Sequence, residues 1–171
     1  METLEAIRTR RSIRRYRPDP VPAEDVTRIL EAGRWAPSAS NSQPWSFVVV
    51  SDPQQKRQLT RCFAFGWFMD EAPLAIVISV DPGASTCPVQ DGSLAAQNMM
   101  LAAHALGLGT CWVNPGLHDD RARELLGLPA HHRLICALSL GYPAESPTKL
   151  RKPLEDVAFS GRWGQRYRPR K

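Results

Sequence analysis

Residues 90–106 read Gln90-Asp91-Gly92-Ser93-Leu94-Ala95-Ala96-Gln97-Asn98-Met99-Met100-Leu101-Ala102-Ala103-His104-Ala105-Leu106, the longest helical window in the chain. Leu94, Ala95, Asn98, Leu101, Ala102 and Ala105 recur at helical spacing and predict one face of this helix. Its many alanines predict close packing in the centre of the fold. On the C-terminal side, Gly109–Val113 reads as a short strand. A helix over 118–127 follows, with Asp119 and Asp120 suited to the positive end of a helix dipole. Leu134–Leu140 is the next strand and stops at Gly141-Tyr142-Pro143. On the N-terminal side, Leu74–Val80 and residues 46–51 are β-branched runs that read as buried strands. Pro53 opens a helix that ends near residue 63. Further back stand a helix over 2–8 and a second one from Pro22, with Val26, Ile29 and Leu30 as its apolar stripe. Gly33 and Pro37 end that helix. Helices thus alternate with four strands in one layer, which predicts an α/β sandwich with helices on its faces. A length of 171 residues suits one domain.

The formal net charge is +5. Arg162, Arg166, Arg168, Arg170 and Lys171 follow Asp156 with no acid among them and account for that excess, so the body is near neutral. Such a tail is solvated or touches nucleic acid. The apolar stretches fall far short of the roughly 20 residues a bilayer needs. Glu2 and Glu5 stand where a secretory leader would carry bases. Cys62, Cys87, Cys111 and Cys136 are widely spaced, which argues against a metal site or a disulfide framework and points to a reducing cytoplasm. From Gly141 onward the composition shifts to Pro, Lys and Arg. That stretch has too little apolar content for a core of its own, so it is disordered or lies on something else, such as a second subunit.

The run Arg10-Arg11-Ser12-Ile13-Arg14-Arg15-Tyr16-Arg17 puts five guanidinium groups and a serine hydroxyl in eight residues. Arginine grips phosphates and planar anions in bidentate fashion. A phosphate-bearing cofactor and a solvated or nucleic-acid-binding arm both fit. Lys149-Leu150-Arg151-Lys152-Pro153 is a second cation cluster, just after the last strand. Residues 36–45, Ala-Pro-Ser-Ala-Ser-Asn-Ser-Gln-Pro-Trp, form a polar loop between a helix and a strand, able to meet a flat polar ligand or to close as a capped turn. Residues 109–116, Gly-Thr-Cys-Trp-Val-Asn-Pro-Gly, run from a strand into a loop, and strand ends in such sheets are favoured ligand positions. Gly107-Leu108-Gly109 lacks the third glycine of a dinucleotide fingerprint. No motif of an activated nucleophile, a P-loop or a zinc protease occurs. An anion grip without an acid–base set suits chemistry borrowed from a cofactor.

With these segments in order, the chain resembles the short class of FMN-dependent nitroreductases over nearly its whole length. The resemblance rests on R-R-S-I-R-R-Y at 10–16, A-P-S-A-S-N-S-Q-P-W at 36–45 and D-G-S-L-A-A-Q-N-M-M-L-A-A at 91–103. It rests equally on G-L-G-T-C-W-V at 107–113, G-Y-P at 141–143 and K-L-R-K-P-L-E-D-V at 149–157. It implies one α+β domain over 1–171, with a central mixed sheet flanked by helices and an arm over 144–171 that wraps a partner. It also implies a homodimer with two FMN molecules at the interface. By position, Arg10, Ser12, Lys149 and Arg151 match residues that bind the FMN phosphate and ribityl chain, with Arg11 beside them. Arg14 matches the basic residue at the pyrimidine end of the flavin. Pro37, Ser38 and Ala39 match the loop laid on the isoalloxazine by the partner, which Asn41 and Gln43 organise.

The implied activity is ping-pong transfer of two electrons from NAD(P)H to a nitroaromatic, quinone or similar small-molecule acceptor. No side chain acts as nucleophile. A fixed guanidinium at Arg14 favours the reduced, anionic flavin. The family offers a backbone N–H to flavin N5 just after the strand at 109–113. Here Pro115 has none, so either Asn114 or Gly116 supplies it or the bond is missing. Phe65 to Asp70, with Trp67 and Phe68, read either as helix-end packing or as part of an acceptor pocket. The competing readings are a flavoprotein of the same fold with a specialised acceptor or little turnover, and a basic nucleic-acid-binding module. The module leaves the 36–45 loop and the neutral body unexplained.

Overall fold

The strands β2 (Leu74–Val80) and β4 (Arg133–Gly141) are apolar and buried along almost their whole length. Both faces of the sheet are therefore covered. In this computed structural model, which describes residues 1–116 and 119–168, β2 and β4 pair antiparallel at the centre of the sheet. β1 (Trp45–Val50) lies outside β2 and β3 (Gly109–Val113) outside β4, giving the order β1-β2-β4-β3. All three strand pairs are antiparallel. Parallel pairing enters at Ser12–Thr110, a bridge that sets the basic N-terminal segment on the outer edge of β3. The expected helix start at 118 and the tail cations Arg170 and Lys171 lie outside the described residues.

α2 (Ala23–Arg34) and α4 (Pro88–Ala105) cover one face, where Ile29, Met99, Met100 and Ala103 meet Ile76, Ile78 and Leu138. α3 (Pro53–Thr60), α5 (Asp119–Leu126) and the 3-10 turn Trp67–Asp70 lie on the other, with Leu59, Ala122, Phe68 and Tyr16 against Val77, Val113 and Ala137. α1 (Thr3–Thr9) leads into the basic segment. The buried Lys56 of α3 donates to the carbonyl of Ala72, anchoring the approach to β2.

The central helix differs from the expected face. α4 buries Asp91, Gly92, Ala95, Ala96, Met99, Met100 and Ala103, while Leu94 and Ala105 point outward. The helix is apolar most of the way round, so spacing alone leaves two faces available. The methionines decide it, because they fill the space between α2 and the sheet. Gly92 allows the approach: a Cβ there would stand 2.7 Å from Ile135 and 2.9 Å from Val80. Gly107, at φ 80°, ends the helix, with the N–H of Leu108 on the carbonyl of Ala103 and that of Gly107 on His104. The chain thereby reverses into β3, which runs back along α4.

Among the described residues, none beyond Tyr142 belongs to either core cluster. A small ladder joins Phe159 to Arg166, and the Phe159 and Trp163 rings meet at 4.5 Å. Leu150 is 98% and Trp163 86% exposed, with Leu154 and Val157 also open.

Candidate functional site

The basic segment is extended, so side chains alternate in direction along it. Ile13 turns inward against Gly109, where any Cβ would come within 2.7 Å of it. The Ile13 N–H donates to the Thr110 carbonyl at 2.9 Å, and the Arg17 N–H to that of Tyr142. Tyr16 is buried beneath, its hydroxyl donating to the Ile13 carbonyl at 2.5 Å and pairing with Ser139 at 2.6 Å. Burial pushes this phenol well above its ordinary pKa, so it stays protonated and holds the segment. Glu145 accepts from the backbone N–H groups of Arg14 and Arg15 at 2.5 and 3.2 Å. The segment is thus pinned at the sheet end from below and from the side.

Arg10, Arg11, Ser12 and Arg14 line a cavity of about 220 Å³, together with Lys149 and Arg151 from the far end of the chain. Arg10 and Arg11 also wall a neighbouring cavity of about 400 Å³, bordered by Ile13, His104, Thr110 and Glu145. The Arg11 guanidinium donates to the carbonyls of Arg8 and Arg10, capping the C-terminal end of α1. Arg14 lies over the Phe68 ring, 5.7 Å from its centroid. Among the described residues, no carboxylate lies within ion-pair distance of the side chains of Arg10, Arg11, Arg14, Lys149 or Arg151. The half-buried Arg10 guanidinium has its pKa lowered by burial, then by Arg151 and Arg11. A cluster in this state gains from an anion. The Thr9 hydroxyl donates to the Glu5 carbonyl and so accepts a hydrogen bond from His104 Nε2–H, while burial and then Arg10 and Arg11 lower the ring's pKa. The Cys111 thiol beneath Ser12 is pushed up by burial, which outweighs Arg14, Ser12 and Arg10.

Asn114 and Gly116 leave β3 elsewhere. They border a third cavity, of about 320 Å³, with Trp112, Ser93 and Arg133. The Gly116 N–H donates to the Cys62 carbonyl at 3.1 Å, and the Ala64 N–H to the Asn114 carbonyl at 3.2 Å. This corrects the expectation for Gly116: its N–H is spent on the chain, and its own approach is so close that a Cβ would stand 2.7 Å from that carbonyl. The Asn114 side chain accepts from Trp112 Nε1 at 2.7 Å, while among the described residues no group accepts its backbone N–H. Asn114 is therefore the donor left at the strand exit. It stands four residues past Thr110, so about 13 Å along the strand from the Ser12 bridge.

Pro37, Ser38, Ala39, Asn41 and Gln43 form a third group. The Ala39 N–H donates to Asp91 in the first turn of α4, whereas the cation cavity lies at that helix's other end, beside His104. The thirteen residue steps from Asp91 to His104 separate the two by about 20 Å along α4. None of the five lines a cavity that holds Arg10, Asn114 or Lys149. The aromatics of the 65–70 segment divide: Phe68 is core, while Trp67 and Phe65 are exposed. Glu145, Tyr16 and Asp91 carry the positioning bonds. Tyr16 and Asp91 lie within motifs quoted above, but nothing in those motifs marks a positioning role, and Glu145 lies in none of them.

The Nitroreductase family model matches residues 7–67 and 60–142. A protein of Archaeoglobus fulgidus, provisionally named an NADH dehydrogenase/NAD(P)H nitroreductase, is 42% identical over 151 residues, covering 84% of this chain and 87% of its own. One of Methanothermobacter thermautotrophicus with the same provisional name is 40% identical over 153 residues, covering 86% and 80%. A protein of Desulfovibrio desulfuricans, provisionally named a nitroreductase and solved in complex with FMN, superposes with a TM-score of 0.83 at 37% identity, over 95% of this chain and 98% of that one.

Proposed function

Because this chain belongs to the nitroreductase family, we propose that it is an NAD(P)H-dependent FMN oxidoreductase whose cation cavity takes the FMN phosphate. The observation that carries this reading is the Arg10 cluster: cations from both ends of the chain, one of them half-buried, face a cavity with no carboxylate of their own among the described residues. That is a site built for a multiply charged anion. When bound, FMN supplies the two-electron transfer, from NAD(P)H to a nitroaromatic, quinone or similar acceptor in ping-pong order. Arg10, Ser12, Lys149 and Arg151 hold the phosphate end. Arg14 places fixed positive charge at the pyrimidine end and favours the reduced anion. The Asn114 N–H, farther along β3, is the donor for N5.

The loop 37–43 belongs to the flavin of a second copy in this reading. Its distance from the cation cavity of its own chain favours that arrangement. The outward Leu94 of α4, Leu4 and Ile7 of α1, and the apolar residues of the arm over 144–171 are the surfaces for that homodimer. No helix of the described residues is long and apolar enough to cross a membrane.

The reading is tested by adding FMN to the purified apoprotein. Quenched flavin fluorescence, a raised Tm and a dimer in light scattering are expected. Unquenched FMN and an unchanged Tm would overturn it. With Asn114 as the N5 donor, Pro115→Gly leaves the flavin potential where it was. A rise of roughly 10–30 mV, the value of one added backbone hydrogen bond, would mean that the wild-type strand exit lacks the bond.

A further inference from the structure

The loop 37–43 is strained and is anchored from outside itself. Ser40, Asn41 and Gln43 take φ of 52°, 55° and 48°, in the left-handed region, and none is glycine. Non-glycine residues enter that region at a cost, and three in four positions persist only where the surroundings impose them. Inside the loop, Ser38 Oγ accepts from the Gln43 N–H at 2.9 Å, and Gln43 Nε2 donates to the Asn41 carbonyl at 3.2 Å. These bonds close the loop on itself without fixing where it sits.

Asp91 fixes it. The residue is 2% exposed, on the first turn of α4, where the helix dipole favours a carboxylate. One oxygen accepts from the Ala39 N–H at 3.0 Å, at the head of the strained stretch. The other accepts from the Ser85 hydroxyl at 2.5 Å, and Ser85 in turn accepts the Cys87 N–H at the start of the helix. Both oxygens are thus committed to donors, one in the loop and one in the rigid helix entry. We infer that Asp91 is the positioning residue that holds the 37–43 loop in the conformation it presents to the flavin of a second copy of this chain. The inference rests on the shared-site reading above. It adds that the flavin environment of one subunit is set by a buried carboxylate in the other, which touches neither flavin nor substrate.

The test uses full-length Asp91→Ala and Asp91→Asn. Asparagine keeps an oxygen for the Ala39 N–H, and its amide can donate to Ser85; alanine keeps neither. Asp91→Ala is expected to remain dimeric but to lose at least about tenfold in NADH-driven turnover, the equivalent of one lost charge-assisted bond, with an altered bound-flavin spectrum. Asp91→Asn restores most of both. Should Asp91→Ala fail to fold, Ser85→Ala removes one anchor only and is expected to show the same spectral change in smaller degree. The decisive arm refolds Asp91→Ala together with Arg10→Ala, at FMN levels that fill wild-type sites but not those lacking Arg10. In a mixed dimer one site carries both lesions and the other neither, so random pairing restores about a quarter of wild-type sites. Wild-type turnover and spectrum in Asp91→Ala (or in Ser85→Ala, if that is the variant that folds) would overturn the role of Asp91 and leave the shared site standing. Lost turnover with no recovery on mixing would place the loop on its own chain's flavin, overturning the shared site and this inference with it.

Discussion

Arg10→Ala lowers FMN affinity by about tenfold or more, as titration of flavin fluorescence will show. A hydrogen bond to a charged group contributes roughly 1.5–3 kcal/mol, which converts to about one to two decades in Kd. The same substitution should leave the apoprotein's Tm unchanged or raise it. In the apoprotein, burial and the neighbouring Arg151 and Arg11 disfavour the Arg10 charge, as its lowered pKa records. A base whose folded pKa is lowered makes its charged form a cost to folding, so its removal relieves the fold. FMN reverses the balance by bringing the counter-charge. Opposite signs in apo and holo protein are the signature of a ligand grip. An equal fall in both would make Arg10 a structural residue.

Truncation after Pro153 should give a folded monomer that does not retain FMN. The described residues of the arm contribute nothing to either core cluster, so helical circular dichroism and cooperative unfolding are expected to survive. What is lost is Leu154, Val157, Trp163 and Tyr167, all exposed on the single chain. Burying each against a second copy contributes about 1.5–3 kcal/mol, on the order of 6–12 kcal/mol per arm before the cost of association. A thousandfold or greater loss in dimer affinity, on the order of 4 kcal/mol or more, is what remains of that range once association is offset. Light scattering at micromolar concentration reads the mass directly. A truncated protein that is still a dimer and still yellow would show that the arm does not hold the pair together.

The strands were legible because they are short β-branched runs bounded by Pro and Gly. The antiparallel order was not, since helices alternating with strands also describe parallel sheets. Nothing in Leu74–Val80 or Leu134–Leu140 states its direction. The inward face of α4 is unmarked in the sequence for a related reason: a helix apolar nearly all round has no unique apolar side, and packing of Met99 and Met100 selects the face. The two cation clusters were visible as residues, but their meeting in one cavity is a long-range contact that only the resemblance anticipated. The fate of the Gly116 N–H depended on residues 62–64 lying alongside 114–116, which no local pattern announces. Asp91 and Glu145 were invisible as functional residues for the same reason, because each acts on backbone far away in sequence.

This chain is expected to bind FMN and to reduce it with a nicotinamide nucleotide. Anaerobic titration of the FMN-loaded protein with NADH and with NADPH, followed at the flavin absorbance band, is the direct measurement. Stoichiometric bleaching by at least one of the two is expected, with return of the colour when a quinone is added. Bound FMN that neither nucleotide bleaches would contradict it.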